Sequence, residues 1–319
     1  MRSEIFVGCR LLLLLLGMFA STSMRVGAQE LTPRTYSNAP MGLNFLGIVY
    51  AFSHGNVLLD PVLPIEGLTS DLHIVGLRYV RTFDLFGVSN KFKAFVPLTA
   101  GHWEGTLTEA LPGTEIEAGF QTRDATGFGD ARFGWEINFL GAPALALREF
   151  ADYRPRTVAG ASIHVVAPTG QYDSERLINL GSNRWGFRLE TGISRTIRRW
   201  TFELMVTAWL YTANDNFFGG SKLEQDSIVA LKGHIIYTLR PGLWIAFNTG
   251  FLDGGATRIN GVLRNTLQRN SRAGLTLVVP LARRYGLSVS YTSGVTKSVG
   301  ADFNTFAMGF QYMWGQGFP

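Results

Sequence analysis

The chain has 319 residues, 46% of them hydrophobic and 17% charged, which excludes a disordered or low-complexity protein. Its 29 Lys and Arg against 24 Asp and Glu give a net charge of +5. The basic residues are dispersed, so nucleic acid is not an expected partner. The single cysteine, Cys9, lies in the N-terminal apolar run, which excludes a disulfide framework.

At the N-terminus, Arg2 and Arg10 flank an apolar run, Leu11 to Leu16 followed by Gly17, Met18, Phe19 and Ala20. A polar stretch ends in Val26-Gly27-Ala28, a small-x-small site. This predicts a secretory signal peptide over 1–28 and a mature domain over 29–319. The apolar core, about ten residues, falls short of the roughly 20 that a spanning helix needs. Cleavage removes Arg2, Arg10, Arg25 and Glu4, which takes the net charge from +5 to +3.

After Ala28 every apolar run is short and broken by charge or glycine. The sequence instead alternates. Ala131, Phe133, Trp135, Ile137 and Phe139 interleave with Asp130, Arg132, Gly134, Glu136 and Asn138. Phe306, Met308, Phe310, Tyr312 and Trp314 do the same near the C-terminus. Successive side chains of a strand point to opposite faces, so each segment has one greasy face. In chain order, strands are expected near 41–53, 71–83, 91–101, 129–140, 157–167, 183–196, 200–211, 226–239, 243–252, 270–280, 285–295 and 303–314. Each approaches or exceeds the roughly 9–11 residues that a tilted transmembrane strand needs.

The connections alternate in length. Those at 54–70, 102–128, 168–182, 212–225, 253–269 and 296–302 are long and polar. Those at 84–90, 197–199, 240–242 and 281–284 are mostly tight. Short turns on one side and long loops on the other are the habit of outer-membrane barrels. The connection 141–156 belongs to the short class but is long, and is expected as a small periplasmic helix. A soluble sandwich would alternate too, but with export and the loop rhythm the pattern predicts an all-β fold. That fold is a transmembrane antiparallel up-and-down barrel of about twelve strands in an outer membrane, with both termini periplasmic. Expected partners are outer-membrane lipid and lipopolysaccharide, the barrel assembly machinery and a small-molecule solute. Arg198, Arg199, Arg240, Arg283 and Arg284, on the tight turns, read as snorkelling cations.

Charges cannot face hydrocarbon cheaply, so those on strands should line the lumen. One wall supplies Lys91, Lys93, Asp130, Arg132 and Glu136. Another supplies Arg184, Arg188, Glu190 and Glu203. The remainder are Lys232, His234, Arg240 and Arg272. They are expected to pair as Arg–Glu ladders across strands and to narrow the pore.

Other motifs yield less. Gly127-Phe-Gly-Asp-Ala-Arg-Phe-Gly134 has G-x-G-x4-G spacing with a strand after it, not the dinucleotide pattern. Its glycines are expected to let a loop re-enter the wall with Asp130 inward. Ser162 and His164 share a strand face that is turned inward with no third member, so no catalytic residues are assigned. His54, His73, His102 and His234 are scattered, and Asp60, Asp173 and Asp215 read as loop carboxylates. Neither a metal nor a cofactor is expected.

Several segments together carry a family resemblance: Asn38-Ala-Pro-Met-Gly-Leu-Asn-Phe45, Gly55-Asn-Val-Leu-Leu-Asp-Pro61, Leu63-Pro-Ile-Glu66, Gly127-Phe-Gly-Asp130, Ala167-Pro-Thr-Gly-Gln-Tyr-Asp173 and Ile178-Asn-Leu-Gly-Ser-Asn-Arg-Trp185. From about Asn38 to Trp314 the chain resembles the outer-membrane transporter family named for the meta-pathway of phenol degradation. The resemblance implies a Gram-negative outer-membrane barrel, not an enzyme, that takes up small hydrophobic or aromatic molecules by passive diffusion. The alternative is a closed barrel with a structural or lipid-hydrolase role. A mouth for such solutes is expected from Phe120, Phe217, Phe218 and the Pro61 to Leu68 stretch.

Overall fold

A computed structural model describes residues 31–56, 65–107, 117–154, 156–296 and 303–317. The expected signal peptide over 1–28, and Asp60 and Pro61, lie outside them. Among the described residues, seventeen strands run in chain order. The wall strands are β1 Leu43–Gly55, β2 Ile65–Leu85, β3 Val88–Leu107, β4 Gly119–Phe128, β5 Arg132–Leu140, β6 Thr157–Val166, β7 Gly186–Ile197, β8 Trp200–Tyr211, β11 Ile228–Arg240, β12 Leu243–Gly254, β15 Gln268–Ala282, β16 Tyr285–Thr296 and β17 Phe303–Gly315. They pair antiparallel in the order β2-β1-β17-β16-β15-β12-β11-β8-β7-β6-β5-β3-β4, and the β2–β3 pairing closes the ring. β4 and β5 share one position, because β3 pairs with β4 through Leu98–Leu107 and with β5 through Asn90–Phe95. The result is a closed twelve-strand barrel. The remaining strands, β9 Asn214–Phe217, β10 Ser221–Gln225, β13 Thr257–Ile259 and β14 Val262–Leu263, join two long loops in a small outer sheet.

The alternating pattern becomes two faces. Leu46, Ile48 and Tyr50 of β1, Phe202, Leu204 and Val206 of β8, and Phe306, Met308 and Phe310 of β17 are all exposed. A belt of exposed side chains this apolar is the surface of a protein solvated by lipid, not by water. On β1 the belt is bracketed by Asn44 and His54, whose ten-residue separation spans about 25 Å along the barrel axis at the usual rise and tilt. Near its tight-turn end, Tyr312 stacks on Trp314 with centroids 5.6 Å apart, and Trp200 lies 4.8 Å from Tyr237. Beyond its long-loop end outward pairs turn polar: His54 Nδ1 lies 2.6 Å from Asp71 and His102 Nδ1 2.8 Å from Asp124.

The structure departs from the sequence reading in two places. The expected loop 102–128 is largely strand: β3 runs on to Leu107, and β4 returns along it. Among its described residues, the connection 141–156 forms a single 3-10 turn, Glu149–Ala151. Gly141 takes φ +71°, and the chain then crosses the tight-turn end of the barrel. Ala144 N–H donates to the Gly87 carbonyl (3.0 Å) and Met41 N–H to that of Leu145 (2.9 Å). Leu147 and Phe150 bury against Ala39, Leu43, Phe45, Val80 and Met313. The connection is a floor held by apolar packing, not a helix.

Residues 31–42 lie inside the barrel. Leu31, Tyr36 and Ala39 are almost fully buried. The Tyr36 ring rests on two wall glycines: a Cβ at Gly160 would stand 2.4 Å from it, and one at Gly192 2.9 Å. Gly160 and Gly192 are direct partners on β6 and β7, so the missing side chains make one flat shelf for the ring.

Phe310→Arg places a cation in the middle of the apolar belt on β17. It should destabilise the barrel by roughly 2–4 kcal/mol. Urea unfolding of the refolded protein in lipid, read by the gel shift between folded and unfolded forms, measures the loss. An unchanged midpoint would show that this belt does not meet hydrocarbon.

Candidate solute pathway

The barrel interior divides into an ion-paired core and, towards the long-loop end, an open cavity. In the core the carboxylates pair with lysines. Glu136 contacts Lys93 and lies 3.6 Å from Lys91. Glu190 contacts Lys232 and accepts a 2.8 Å hydrogen bond from Thr207 Oγ1. Glu203 is met by the N-terminal segment, whose Arg34 N–H donates to Oε2 at 2.7 Å. The segment also presents the Thr35 carbonyl to Lys91 Nζ at 2.6 Å. Tyr36 Oη lies 3.4 Å from both Glu190 Oε1 and Ser162 Oγ. His234 Nδ1 is 2.8 Å from Asn248 Oδ1.

The arginines behave differently. The Arg34 guanidinium sits 5.1 Å from the Trp244 ring centre, Arg184 4.7 Å from Tyr211, Arg188 5.5 Å from Trp209 and Arg272 4.0 Å from Phe303. Lys–Glu pairs and Arg–aromatic stacks thus stand side by side in the interior, and Arg188 also lies within the electrostatic reach of Glu190. A planar guanidinium stacks on a ring, whereas a compact ammonium seeks a point partner.

The cavity has a volume of about 430 Å³. Its lining includes Trp103, Trp209, Tyr211, Tyr172, Phe217 and Phe303, with Leu72, Ile178, Leu180 and Ile228 between them. Its charged members are Asp130, Arg132 and Arg184. A largely apolar, aromatic cavity with a few fixed polar groups is the ordinary make-up of a small-molecule site. Burial lowers the Arg184 guanidinium below its usual range, with Tyr211 and Asp130 opposing that shift. Arg184 Nη2 donates to Gln225 Oε1, while its buried Nη1 has no hydrogen-bond partner among the described residues.

One side of the cavity is the loop 167–185, and Asp130 fixes it. Asp130 Oδ1 accepts from Gly170 N–H at 2.9 Å. Its Oδ2 accepts from Ser182 N–H at 2.9 Å and Ser182 Oγ at 2.6 Å. Ala131 N–H donates to Thr169 Oγ1 (2.9 Å) and Gln171 N–H to the Phe128 carbonyl (2.8 Å). The Gly127–Asp130 and Ala167–Asp173 motifs are thus two halves of one joint. The first is a step between β4 and β5 within the wall, not the return of an outer loop.

Among the expected site residues, Glu136, Arg188, Glu190, Glu203, Lys232, His234 and Arg272 are buried within the ring of strands. Asp130, Arg132 and Arg184 border the cavity. Arg240 is exposed at the end of β11, where the turn carries it out of the interior. Of the expected mouth, Phe217 borders the cavity, whereas Phe120 is 65% exposed on the outward face of β4. Ser162 and His164 diverge to Tyr36 and to Glu136, the latter at 3.8 Å. Tyr36, Trp209 and Tyr211 were not anticipated. Strand parity carried a signal for the last two, since both share the face of Glu203 and Thr207 on β8.

Asp130→Ala removes the acceptor of three hydrogen bonds, each worth about 1.5–3 kcal/mol when charge-assisted. The loop 167–185 should then open locally. Trypsin cleavage after the exposed Arg176 should speed by about tenfold or more. An unchanged cleavage rate would show that the joint does not hold the loop.

Comparison with known proteins agrees with this architecture. The outer membrane channel of Pseudomonas putida F1 superposes with TM-score 0.70 at 18% identity, over 88% of this chain and 99% of that one. A monoaromatic hydrocarbon channel, the TodX deltaS2S3 mutant, gives TM-score 0.47 at 9% identity, over 88% and 93%. The NanC porin gives 0.45 at 8%, over 84% and 98%. No curated protein matches the sequence. Residues 52–312 match the profile of one family, and the chain belongs to it: the family described as "Putative MetA-pathway of phenol degradation".

Proposed function

We propose that the protein is an outer-membrane channel through which small hydrophobic, aromatic molecules diffuse passively into the periplasm. The observation that carries this reading is the cavity of about 430 Å³, walled by Trp103, Trp209, Tyr211, Phe217 and Phe303, at the long-loop end of a closed barrel. Rings of this kind offer stacking surface to a monocyclic aromatic solute, and the aliphatic residues between them exclude water from it. Family membership and a fold shared with a bacterial outer membrane channel support the same reading. Lipid surrounds the apolar belt, lipopolysaccharide meets the outward polar pairs, and the tight turns with both termini face the periplasm. The assembly machinery reads β17.

Below the cavity the path runs past Arg132, Glu136, Arg188, Glu190 and Glu203, and the N-terminal segment occupies it. Passage therefore requires the segment to shift. Its polar holds include the Arg34 N–H on Glu203, the Thr35 carbonyl on Lys91, the Tyr36 hydroxyl, Arg34 Nη2 on Thr238 Oγ1 and Asn38 Nδ2 on the Pro143 carbonyl. The occupied interior also favours a second reading, a permanently closed barrel with a structural role.

Vesicles containing lipopolysaccharide, which slows the bare diffusion of apolar solutes, separate the two readings. Protein-bearing vesicles should take up benzyl alcohol faster than protein-free ones. Arg34→Ala with Tyr36→Ala should raise both that rate and single-channel conductance, because it removes two side-chain anchors of the segment. If neither parent nor double variant exceeds protein-free vesicles, the closed-barrel reading replaces the channel.

A further inference from the structure

We infer that the pathway is built for aromatic solutes that carry a negative charge, monocyclic aromatic carboxylates above all, in preference to neutral hydrocarbons. This inference rests on the channel reading and narrows its substrate class.

The first argument is the balance of interior charge. Among the described residues, nine cations lie within the ring of strands or border the cavity: Arg34 in the N-terminal segment, the lysines at 91, 93 and 232, and arginines at 78, 132, 184, 188 and 272. Four described carboxylates oppose them: Asp130, Glu136, Glu190 and Glu203. Each carboxylate is already engaged. Asp130 holds the loop, Glu136 and Glu190 hold lysines, and Glu203 holds the N-terminal backbone. The surplus is positive, inside a low-dielectric wall that focuses the field along the path.

The second argument is how the surplus is placed. Arg184 stacks on Tyr211 and Arg188 on Trp209, and these two cavity-lining rings stand two residues apart on β8. Arg132 borders the same space. A flat ring lying against Trp209 or Tyr211 brings a carboxylate on that ring to the edge of a guanidinium. The planar fork matches the two oxygens of a carboxylate. The buried Nη1 of Arg184, with no hydrogen-bond partner among the described residues, is a donor held ready for such an oxygen. A buried donor of this kind costs free energy until it is satisfied. A neutral hydrocarbon would fill the cavity and leave that donor unmet.

Reversal potentials in planar bilayers test this. Under a potassium chloride gradient the protein should prefer anions, and replacing chloride by benzoate should raise the anion permeability further. Arg132→Gln with Arg184→Gln should lower the benzoate-to-potassium permeability ratio by about tenfold. Lys222→Gln, which removes an exposed outer cation that does not border the cavity, should leave that ratio in place. Raising the salt from 0.1 to 1 M should erode the preference, because the screening length falls from about 10 to 3 Å. Benzyl alcohol uptake into vesicles, measured on the same preparations, keeps the two proposals apart. Uptake of benzyl alcohol with equal or cation-favouring permeability overturns this inference and leaves the channel standing. Absence of both fluxes overturns the channel itself. An anion preference that survives the double arginine variant overturns the assignment to Arg132 and Arg184.

Discussion

Lipid offers no hydrogen bonds, and this constraint shapes the whole molecule. Backbone groups of the wall can be satisfied only by neighbouring strands, so the sheet must close, and β2–β3 pairing closes it. Every charged side chain within the belt must then turn inward. A twelve-strand ring is too wide for its own side chains to fill and pair completely. The N-terminal segment supplies what the wall lacks. It brings a backbone N–H to Glu203, a carbonyl to Lys91 and a ring to the Gly160–Gly192 shelf. Leaving a buried charge without its partner is far costlier than making the pair is stabilising. The segment is therefore part of the electrostatics of the core, not an appendage to it.

Within that interior, residue type divides labour. Lysine ammoniums meet Glu136 and Glu190 as compact ion pairs in the middle of the barrel. Guanidiniums lie over Trp209, Tyr211 and Phe303, and that of Arg184 keeps a buried Nη1 with no hydrogen-bond partner among the described residues. An ion pair is satisfied and locks its neighbourhood. A cation over a ring is only partly satisfied and leaves an edge for something else. The same net charge thus gives a rigid girdle in one zone and a receptive lining in another.

The sequence disclosed the wall better than it disclosed what fills it. Alternation at Phe306, Met308 and Phe310 is a direct consequence of strand geometry, and all three are exposed on β17. Connection lengths disclosed the up-and-down order for the same reason. The inward position of Glu190 and Lys232 followed from parity, but their pairing did not: partner choice depends on register, which one sequence does not print. The role of residues 31–42 was hidden because the segment has no periodicity. Its trace lay in the wall instead, at two inward glycines on neighbouring strands, a place where a barrel normally wants bulk. The 141–156 connection was misread as a helix because Ala144 to Phe150 has helical composition. The Phe150 and Leu147 side chains are instead spent on the Met313–Phe45 floor.

Stability and passage are separable in this design. The barrel is held by strand-to-strand hydrogen bonds around the ring, none of which involves residues 31–37. The segment is held by contacts with wall side chains such as Glu203 and Lys91, and by the Asn38–Pro143 and Met41–Leu145 bonds near the floor. Withdrawing it breaks no ladder; it exchanges protein partners of Glu203 and Lys91 for water. In a dry core that exchange would be prohibitive, but a vacated barrel is hydrated, and water meets both charges. The equilibrium between filled and open states is then governed by hydration of the interior charges. A solute that enters the cavity and displaces its water alters that balance from above, without any strain reaching the wall.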